Sequence, residues 1–582
     1  MGLTFTMYVV AHSVLSDLQD EAGLEIVVGR FRQAHVGKVA LESYRGGVSV
    51  EERVLRNARD ALSKEGFQTM GGLMPVHGEG FAKRSEGIET RLPFFCYSSQ
   101  ETVERLEQEI RKLARLFNEV VIDDAFMTSC RCAACKEARG SKDWPTFRRD
   151  LLSEVAHRWV AAAHEENPRV CLIVKFPQTY DRYQQFGYDT QRFPEIFDGV
   201  WVGTETRDPD TAAFGYTEPY QGYFNMLWMR TCADQKFTGA WFDYLDCNDQ
   251  QFYEQAVTTC LGEPAEITLF CYGKDIFDQN RIPRLVAGLP HLERLREVVT
   301  APHGVYVYKP PNSEGGRDLF IFDYLGMMGI PCVPTTSLRP DMKSVIVPGH
   351  GVTDASTAHI IANIIASGGQ VIVTHQALER LCAYPSVLEL FGYAAADVAP
   401  NSIEILRFSL DERILEPYRP IPAGGDLDPN SEVRVRIWAH YDAWGSETRL
   451  PFATVRDHAS GGRAAVWNLR TFAHDAYTIR EHLCVPVRCG LLDLSDAVIG
   501  ALRNMATEPL GYTVEAPPRM ATFLFDRHVV FVNYADTPAT ISATGLSLRP
   551  DTLLSDKSET VFSGNTVQLP PRSHVIIALQ TD

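Results

Sequence analysis

The fold turns on the stretch Glu119-Val-Val-Ile-Asp-Asp-Ala-Phe-Met-Thr-Ser-Cys-Arg-Cys-Ala-Ala-Cys135. Three β-formers, Val120, Val121 and Ile122, run into two adjacent carboxylates, Asp123 and Asp124. Shortly afterwards comes Cys-x-Cys-x-x-Cys, formed by Cys130, Cys132 and Cys135. A short apolar run reads as a buried strand, and acids at its carboxyl end followed by clustered thiols read as a catalytic strand end with a braced loop. An acidic turn beside unrelated cysteines is the plainer alternative, and the closeness of the three thiols argues against it.

Outward from this strand the same unit recurs. Strand-like runs stand at Phe5–His12, Lys38–Ser43, Gln68–Val76, Val170–Phe176, Gly199–Glu205, Thr238–Asp243 and Glu266–Tyr272, and Val120–Asp124 takes fourth place among them. Helical patterns lie between them. The clearest is Ser99–Phe117, with Ser99 as N-cap and an apolar stripe of Val103, Leu106, Ile110, Leu113 and Leu116. Alternating units with apolar strands imply a parallel sheet, and eight of them suit a closed (β/α)8 TIM barrel over residues 1–300. The alternative is a doubly wound open sheet, but no Gly-x-Gly-x-x-Gly follows the first strand.

A chain of 582 residues is too long for a single core. A change of composition near Thr300 opens a second α/β domain, 301–515, with strands at Val305–Lys309, Ser344–Pro348 and Gln370–Thr374. From about Val433 the chain turns β-rich, at Trp438–Tyr441 and Ala464–Leu469, and the sequence leaves open whether these strands complete that domain. The tail, 516–582, alternates short strands with Pro, Gly and Asp turns and reads as a small C-terminal antiparallel β-sandwich.

Composition narrows the function. A formal net charge of −18 argues against nucleic acid or an anionic membrane as partner. No apolar run approaches the ~20 residues of a membrane span, and the start lacks a secretory signal. The 13 cysteines are an odd number and mostly scattered, which suits reduced thiols and a cytoplasmic location.

In a TIM barrel the reacting groups sit at the carboxyl ends of the strands. Those ends carry Glu42, Asp123 with Asp124, Lys175, Glu205 and Asp243. So many like charges in one cavity shift each other's pKa values, which favours function over accident. Strand alternation allows only one of Asp123 and Asp124 to face the axis. Two carboxylates across a sugar ring are the minimal machinery of glycoside hydrolysis, one protonating the leaving oxygen and the other attacking or activating water. Asp124, Glu205 and Asp243 are the catalytic candidates. Glu42, Asp123, Lys175, Arg207, Trp241 and Tyr272 are candidates for holding the carbohydrate, and Trp201 reads as packing. The expectation is an exo-acting glycosidase for a small glycoside or oligosaccharide, with no organic cofactor. Two other classes stay open: a lyase or aldolase forming a Schiff base on Lys175, and a non-catalytic sugar-binding barrel. Structural zinc needs four ligands, and Cys96 would stand close enough to join Cys130, Cys132 and Cys135 if the units pair in order; a free-thiol loop without metal is the alternative.

The strand-four acids followed by Cys-x-Cys-x-x-Cys, the later Val305-Tyr-Val-Tyr-Lys-Pro-Pro and Gly368-Gly-Gln-Val-Ile-Val-Thr, and the β tail together resemble the family 42 β-galactosidases. That resemblance implies a catalytic TIM barrel, an amidotransferase-like trimerisation domain and a C-terminal β domain, with a four-cysteine zinc site matching Cys96, Cys130, Cys132 and Cys135. The chain also departs from the family. Asp123-Asp124 stand where the family has Asn-Glu as acid/base, and Asp243 where it has a Glu nucleophile. This makes the chain a divergent relative and leaves Glu205 and Asp243 as competing partners for Asp124. The amidotransferase-like domain has no cysteine in its candidate elbow, Val347-Pro-Gly-His-Gly351, so an oligomerising role suits it better than glutaminase activity.

Overall fold

The computed structural model describes the chain except for residues 1, 88–91, 212–215, 400–402, 406, 411–412, 416–420, 444, 472–488, 553 and 581–582. Its described residues form two compact units that divide between Glu297 and Val298.

The first unit is a closed barrel of eight parallel strands. They are β1 (Phe5–Val9), β2 (Val36–Glu42), β3 (Gln68–Leu73), β4 (Glu119–Ile122), β5 (Cys171–Phe176), β6 (Gly199–Gly203), β7 (Phe237–Asp243) and β8 (Glu266–Phe270). Each pairs with the next in sequence, and β8 pairs back onto β1, with Tyr8 opposite Phe270. The open-sheet alternative is thereby excluded.

A ring of buried side chains fills the barrel axis, one from each of seven strands: Tyr8, Ala40, Met70, Val121, Ile173, Trp201 and Trp241. Inward-facing positions repeat every second residue along a strand. The next inward positions towards the carboxyl ends are therefore Val10, Glu42, Gly72, Asp123, Lys175, Gly203 and Asp243. Apolar bulk below and charge above is a direct consequence of this alternation. At the opposite mouth Lys38 of β2 donates to Glu119 of β4 at 2.8 Å and to Glu266 of β8 at 2.7 Å, tying three strands together.

The second unit holds a nine-stranded mixed sheet. Its parallel half contains β9 (Val305–Tyr308), β10 (Cys332–Thr335), β11 (Ser344–Val347) and β12 (Gln370–Thr374), with β17 (Arg463–Trp467) parallel to β12. Antiparallel strands continue it through β16 (Ser446–Asp457) and β15 (Arg434–Ala443) to β13 (Arg407–Leu410) and β14 (Arg413–Leu415). The β-rich stretch after Val433, left open by the sequence, thus extends the α/β sheet. Helix Ala355–Ala366 packs on this sheet, and Gly368, at φ 89°, follows its C-cap as a left-handed stop.

The C-terminal strands form a five-stranded and a four-stranded sheet that share one core, including Val514, Phe531, Ile541, Val567 and Val575. Two short strands from outside 516–582 join them: Pro302–His303 pairs with Met520–Phe525, and Thr513–Glu515 with Ala539–Thr544. Among the described residues no helix is long and apolar enough to cross a membrane.

Candidate active site and thiol cluster

The carboxyl mouth of the barrel gathers three cations among five carboxylates. Lys175 is central and fully buried. Its Nζ donates to Asp124 Oδ2 at 2.7 Å and to Glu205 Oε1 at 2.5 Å, and lies 3.6 Å from Asp123 Oδ1. The ammonium also sits 4.0 Å from the ring centroid of Trp241, a cation–π arrangement. Trp241 in turn stacks on Phe270 with centroids 5.1 Å apart and rings inclined by 15°. Its ring therefore forms the floor beneath the lysine.

Both adjacent acids approach Lys175, where strand alternation allowed only one to face inward. The reason is local. β4 stops at Ile122, and the Asp124 amide donates to Asp123 Oδ1 at 2.7 Å, so the chain turns and brings the second carboxylate inward. Asp123 is buried, whereas the Asp124 side chain keeps 21% of its surface exposed.

Arg45 carries the second cation. It donates to Glu42 from Nε at 3.0 Å to each oxygen and reaches Asp123 Oδ2 from Nη2 at 3.2 Å. Glu42 also accepts from Tyr8 Oη at 2.8 Å and from the Ala11 amide at 2.7 Å. With its lone pairs filled from within the protein, Glu42 holds Arg45 in place. Neither Arg45 nor Tyr8 stood out in the sequence. Arg45 follows a strand-end acid by three residues, and Gly46 and Gly47, at φ 57° and 93°, turn the chain back so that it overhangs the mouth.

Arg207 supplies the third cation and grips Asp243 with two parallel bonds, Nε to Oδ1 at 2.9 Å and Nη2 to Oδ2 at 2.5 Å. Its backbone lies in the left-handed region, at φ 55°, which is costly for a residue with a side chain and clusters at functional sites. The Leu245 amide adds a contact to Asp243 Oδ1 at 3.2 Å. Asp243 is thus committed to Arg207, and the structure does not join it to Asp124. Tyr272 lies apart from these groups: its ring packs edge-on against Phe31, and its hydroxyl accepts from Arg30 at 3.2 Å. Trp201 belongs to the barrel interior and donates to Thr238 Oγ1 at 3.1 Å.

Burial and charge set the protonation states. Burial raises the Glu205 carboxyl, and so does Asp124, against the pull of Lys175. Its Oε2 is buried without a hydrogen-bond partner. Burial and neighbouring Asp124 push Asp123 up to about 7, opposed by Lys175 and Arg45. Burial alone would lower Lys175, but Asp124, Glu205 and Asp123 outweigh it and hold it as an ammonium above the usual lysine range. A carboxyl whose pKa is raised by folding retains its proton longer than in the unfolded chain, so it loses stability as pH rises from about 4 to about 7. Replacing Asp123 by asparagine is expected to flatten the fall in melting temperature across that window. An unchanged slope would show that Asp123 does not titrate there.

Beside this mouth, Cys96, Cys130, Cys132 and Cys135 converge, with every pair of sulfurs within 4.8 Å. Cys96 Sγ is 3.8 Å from Cys132 Sγ and 3.6 Å from Cys135 Sγ. Hydrogen bonds from the Cys135 and Cys96 thiols and from the Cys132 and Glu86 amides hold the Cys130 thiol well below the usual range, against the effect of burial. The cluster joins the excursion after β3 to the loop after β4. Thr128 Oγ1 donates to the Phe95 carbonyl at 2.9 Å, and the Arg131 amide to the Glu86 carbonyl at 2.6 Å.

The barrel is similar to a glycoside hydrolase catalytic domain. Residues 2–285 match the family model described as "Probable glycosyl hydrolase, catalytic domain". Over its whole length the chain also shares the fold of the family 42 β-galactosidases. Gan42B, a GH42 β-galactosidase from G. stearothermophilus, superposes with a TM-score of 0.66 at 12% identity, over 99% of this chain and 98% of that one. A β-galactosidase from Bacillus circulans gives 0.63 at 12% identity over 100% and 99%. An exo-β-1,4-mannosidase, Op5Man5, from Opitutaceae bacterium strain TAV5 gives 0.52 at 11% over 80% and 92%. At such identities the likeness is one of fold. By sequence, an uncharacterized protein of Saccharolobus solfataricus is 22% identical over 400 residues, which span 62% of this chain and 64% of that protein.

Proposed function

We propose that the protein is a retaining exo-glycosidase in which Asp124 is the nucleophile and Glu205 the acid/base. The observation that carries this reading is the shared lysine: Asp124 Oδ2 and Glu205 Oε1 lie 2.7 Å and 2.5 Å from the same Nζ. Those two oxygens are therefore no farther apart than the two bonds laid end to end. That upper limit is short of the ~6.5–9.5 Å that leaves room for a water in inverting enzymes and lies on the side of the ~5–5.5 Å carboxyl spacing of retaining ones. Their environments also differ as two roles require. Glu205, buried and raised, keeps a proton to give to the leaving oxygen. Asp124, partly exposed beside an ammonium, attacks the anomeric carbon as the glycosidic bond breaks. In the second step Glu205 takes a proton from water, whose oxygen attacks the same carbon and releases Asp124. Asp243, with both oxygens on Arg207, is a poor nucleophile and serves to position Arg207. Following the anomeric configuration of the first-formed sugar by proton NMR tests this reading: retention is expected, and inversion would overturn it.

The three acids around Lys175 also speak against the lyase reading, because a Schiff base needs the neutral amine and their charge holds this lysine as an ammonium. Borohydride with substrate present is expected to leave Lys175 unmodified.

The thiols fit structural zinc. A tetrahedral zinc with bonds of ~2.3 Å sets its sulfurs about 3.8 Å apart, close to the spacings from Cys96. When bound, the metal would neutralise the thiolates and brace the two loops without entering the reaction. One zinc per chain is expected. Stripping it with a chelator should lower the melting temperature by several degrees, and Cys96→Ser should reproduce the shift; a chelator-insensitive protein would refute the site. Completing the reading, residues 301–515 act as an oligomerisation domain in a trimer, the tail from 516 forms the third domain, and the enzyme works in the cytoplasm.

A further inference from the structure

Seven inward positions ring the carboxyl mouth, one above each residue of the buried ring, and two of them, Gly72 on β3 and Gly203 on β6, are glycines. Each gap is filled by a side chain from elsewhere. A Cβ built on Gly72 would meet Tyr8 Oη at 2.7 Å, the hydroxyl that binds Glu42. A Cβ on Gly203 would fall 2.1 Å from Glu205 Oε2 and 3.1 Å from its Cδ, with the Gln178 backbone nitrogen at 3.0 Å on another side. Gly203 is not among the glycines with positive φ, so backbone conformation does not demand a glycine there. The demand is for space.

We propose that Gly203 is a positioning residue for the acid/base: it leaves vacant the inward place on β6 into which Glu205, two residues farther on, folds back to reach Lys175. The proposal rests on the reading of Glu205 as acid/base. With any side chain at 203 the Gln178 backbone cannot yield, so the carboxylate must leave, and it loses its 2.5 Å contact with the ammonium. An acid out of reach of the leaving oxygen is felt most where that oxygen needs a proton. General acid help contributes ~10²–10⁴-fold, and little of it is needed by a leaving group that departs readily as an anion.

The test is Gly203→Ala in the full chain, beside Glu205→Gln and a control on the same strand, Gly199→Ala, whose Cβ meets Ile173 Cγ1 at 3.0 Å far from the acids. A crystal structure of Gly203→Ala is expected to show Glu205 beyond hydrogen-bond distance of Lys175; an intact contact overturns the proposal. With phenyl and 2,4-dinitrophenyl glycosides, Gly203→Ala should lose ~100-fold or more on the phenyl substrate and less than about 10-fold on the dinitrophenyl one. Glu205→Gln should share that pattern, and Gly199→Ala should not. If Glu205→Gln loses phenyl turnover while Gly203→Ala keeps it, the positioning role fails. If Glu205→Gln keeps both, the acid assignment fails, and the crystal structure still reads the displacement. Should Gly203→Ala not fold, Gly203→Ala with Glu205→Asp, one methylene shorter, is expected to recover folding; failure of both overturns the steric argument.

Discussion

Replacing Lys175 by methionine is expected to cost about 3–5 kcal/mol of stability, the loss typical when one partner of a buried ion pair is removed. The methionine fills a similar volume, so the loss is electrostatic. Asp124 and Glu205 are left facing each other, with Asp123 close behind, and no cation between them. Like-charged carboxyls at that spacing cannot all ionise, so one retains its proton to higher pH. The activity profile should therefore shift to higher pH, because the carboxyl cluster sheds its protons at higher pH once the ammonium is gone. Denaturant unfolding and a pH–rate profile measure the two effects. If both match the parent protein, Lys175 does not hold the pair.

Glu205→Gln and Asp124→Asn should abolish most turnover of aryl glycosides. For Glu205→Gln a loss of ~10²–10⁴-fold in kcat is expected on substrates with poor leaving groups. Asp124→Asn should be at least as severe across the whole panel, because the amide cannot form the covalent intermediate. Asp243→Asn, which weakens one charge-assisted clamp on Arg207, should fall short of both. The ranking is the informative result. A larger loss at Asp243 than at Glu205 would move the nucleophile to β7, and full activity in all three variants would remove the hydrolase reading.

Barrel closure was legible because each strand is a short apolar run bounded by helical periodicity, and the strand-end acids followed from position alone. Alternation along the strands accounts for Glu42, Asp123, Lys175 and Asp243 once the buried ring beneath them is known. What alternation missed depends on where strands stop. β4 ends one residue before Asp123, which frees Asp124 to turn inward. β8 ends at Phe270, and Tyr272 packs against Phe31 instead of facing the mouth. Arg45 was hidden for a different reason: beside the glycine turn that follows it, its role depends on an acid from a strand two places away, which is not local in sequence. In the second unit, the β-rich stretch after Val433 had no stronger signal than its composition, because a strand that pairs antiparallel at a sheet edge has the same residue pattern as one in a separate domain.

Lys38, at the amino-terminal mouth, joins partners 81 and 228 residues away. A tie of that reach cannot form until β8 has found β1, which makes it a late event in folding. Interactions absent from the transition state slow unfolding without hastening folding. The lysine at the bottom of the barrel thus acts as a latch on the lifetime of the native state, set behind the acids at the top and independent of them.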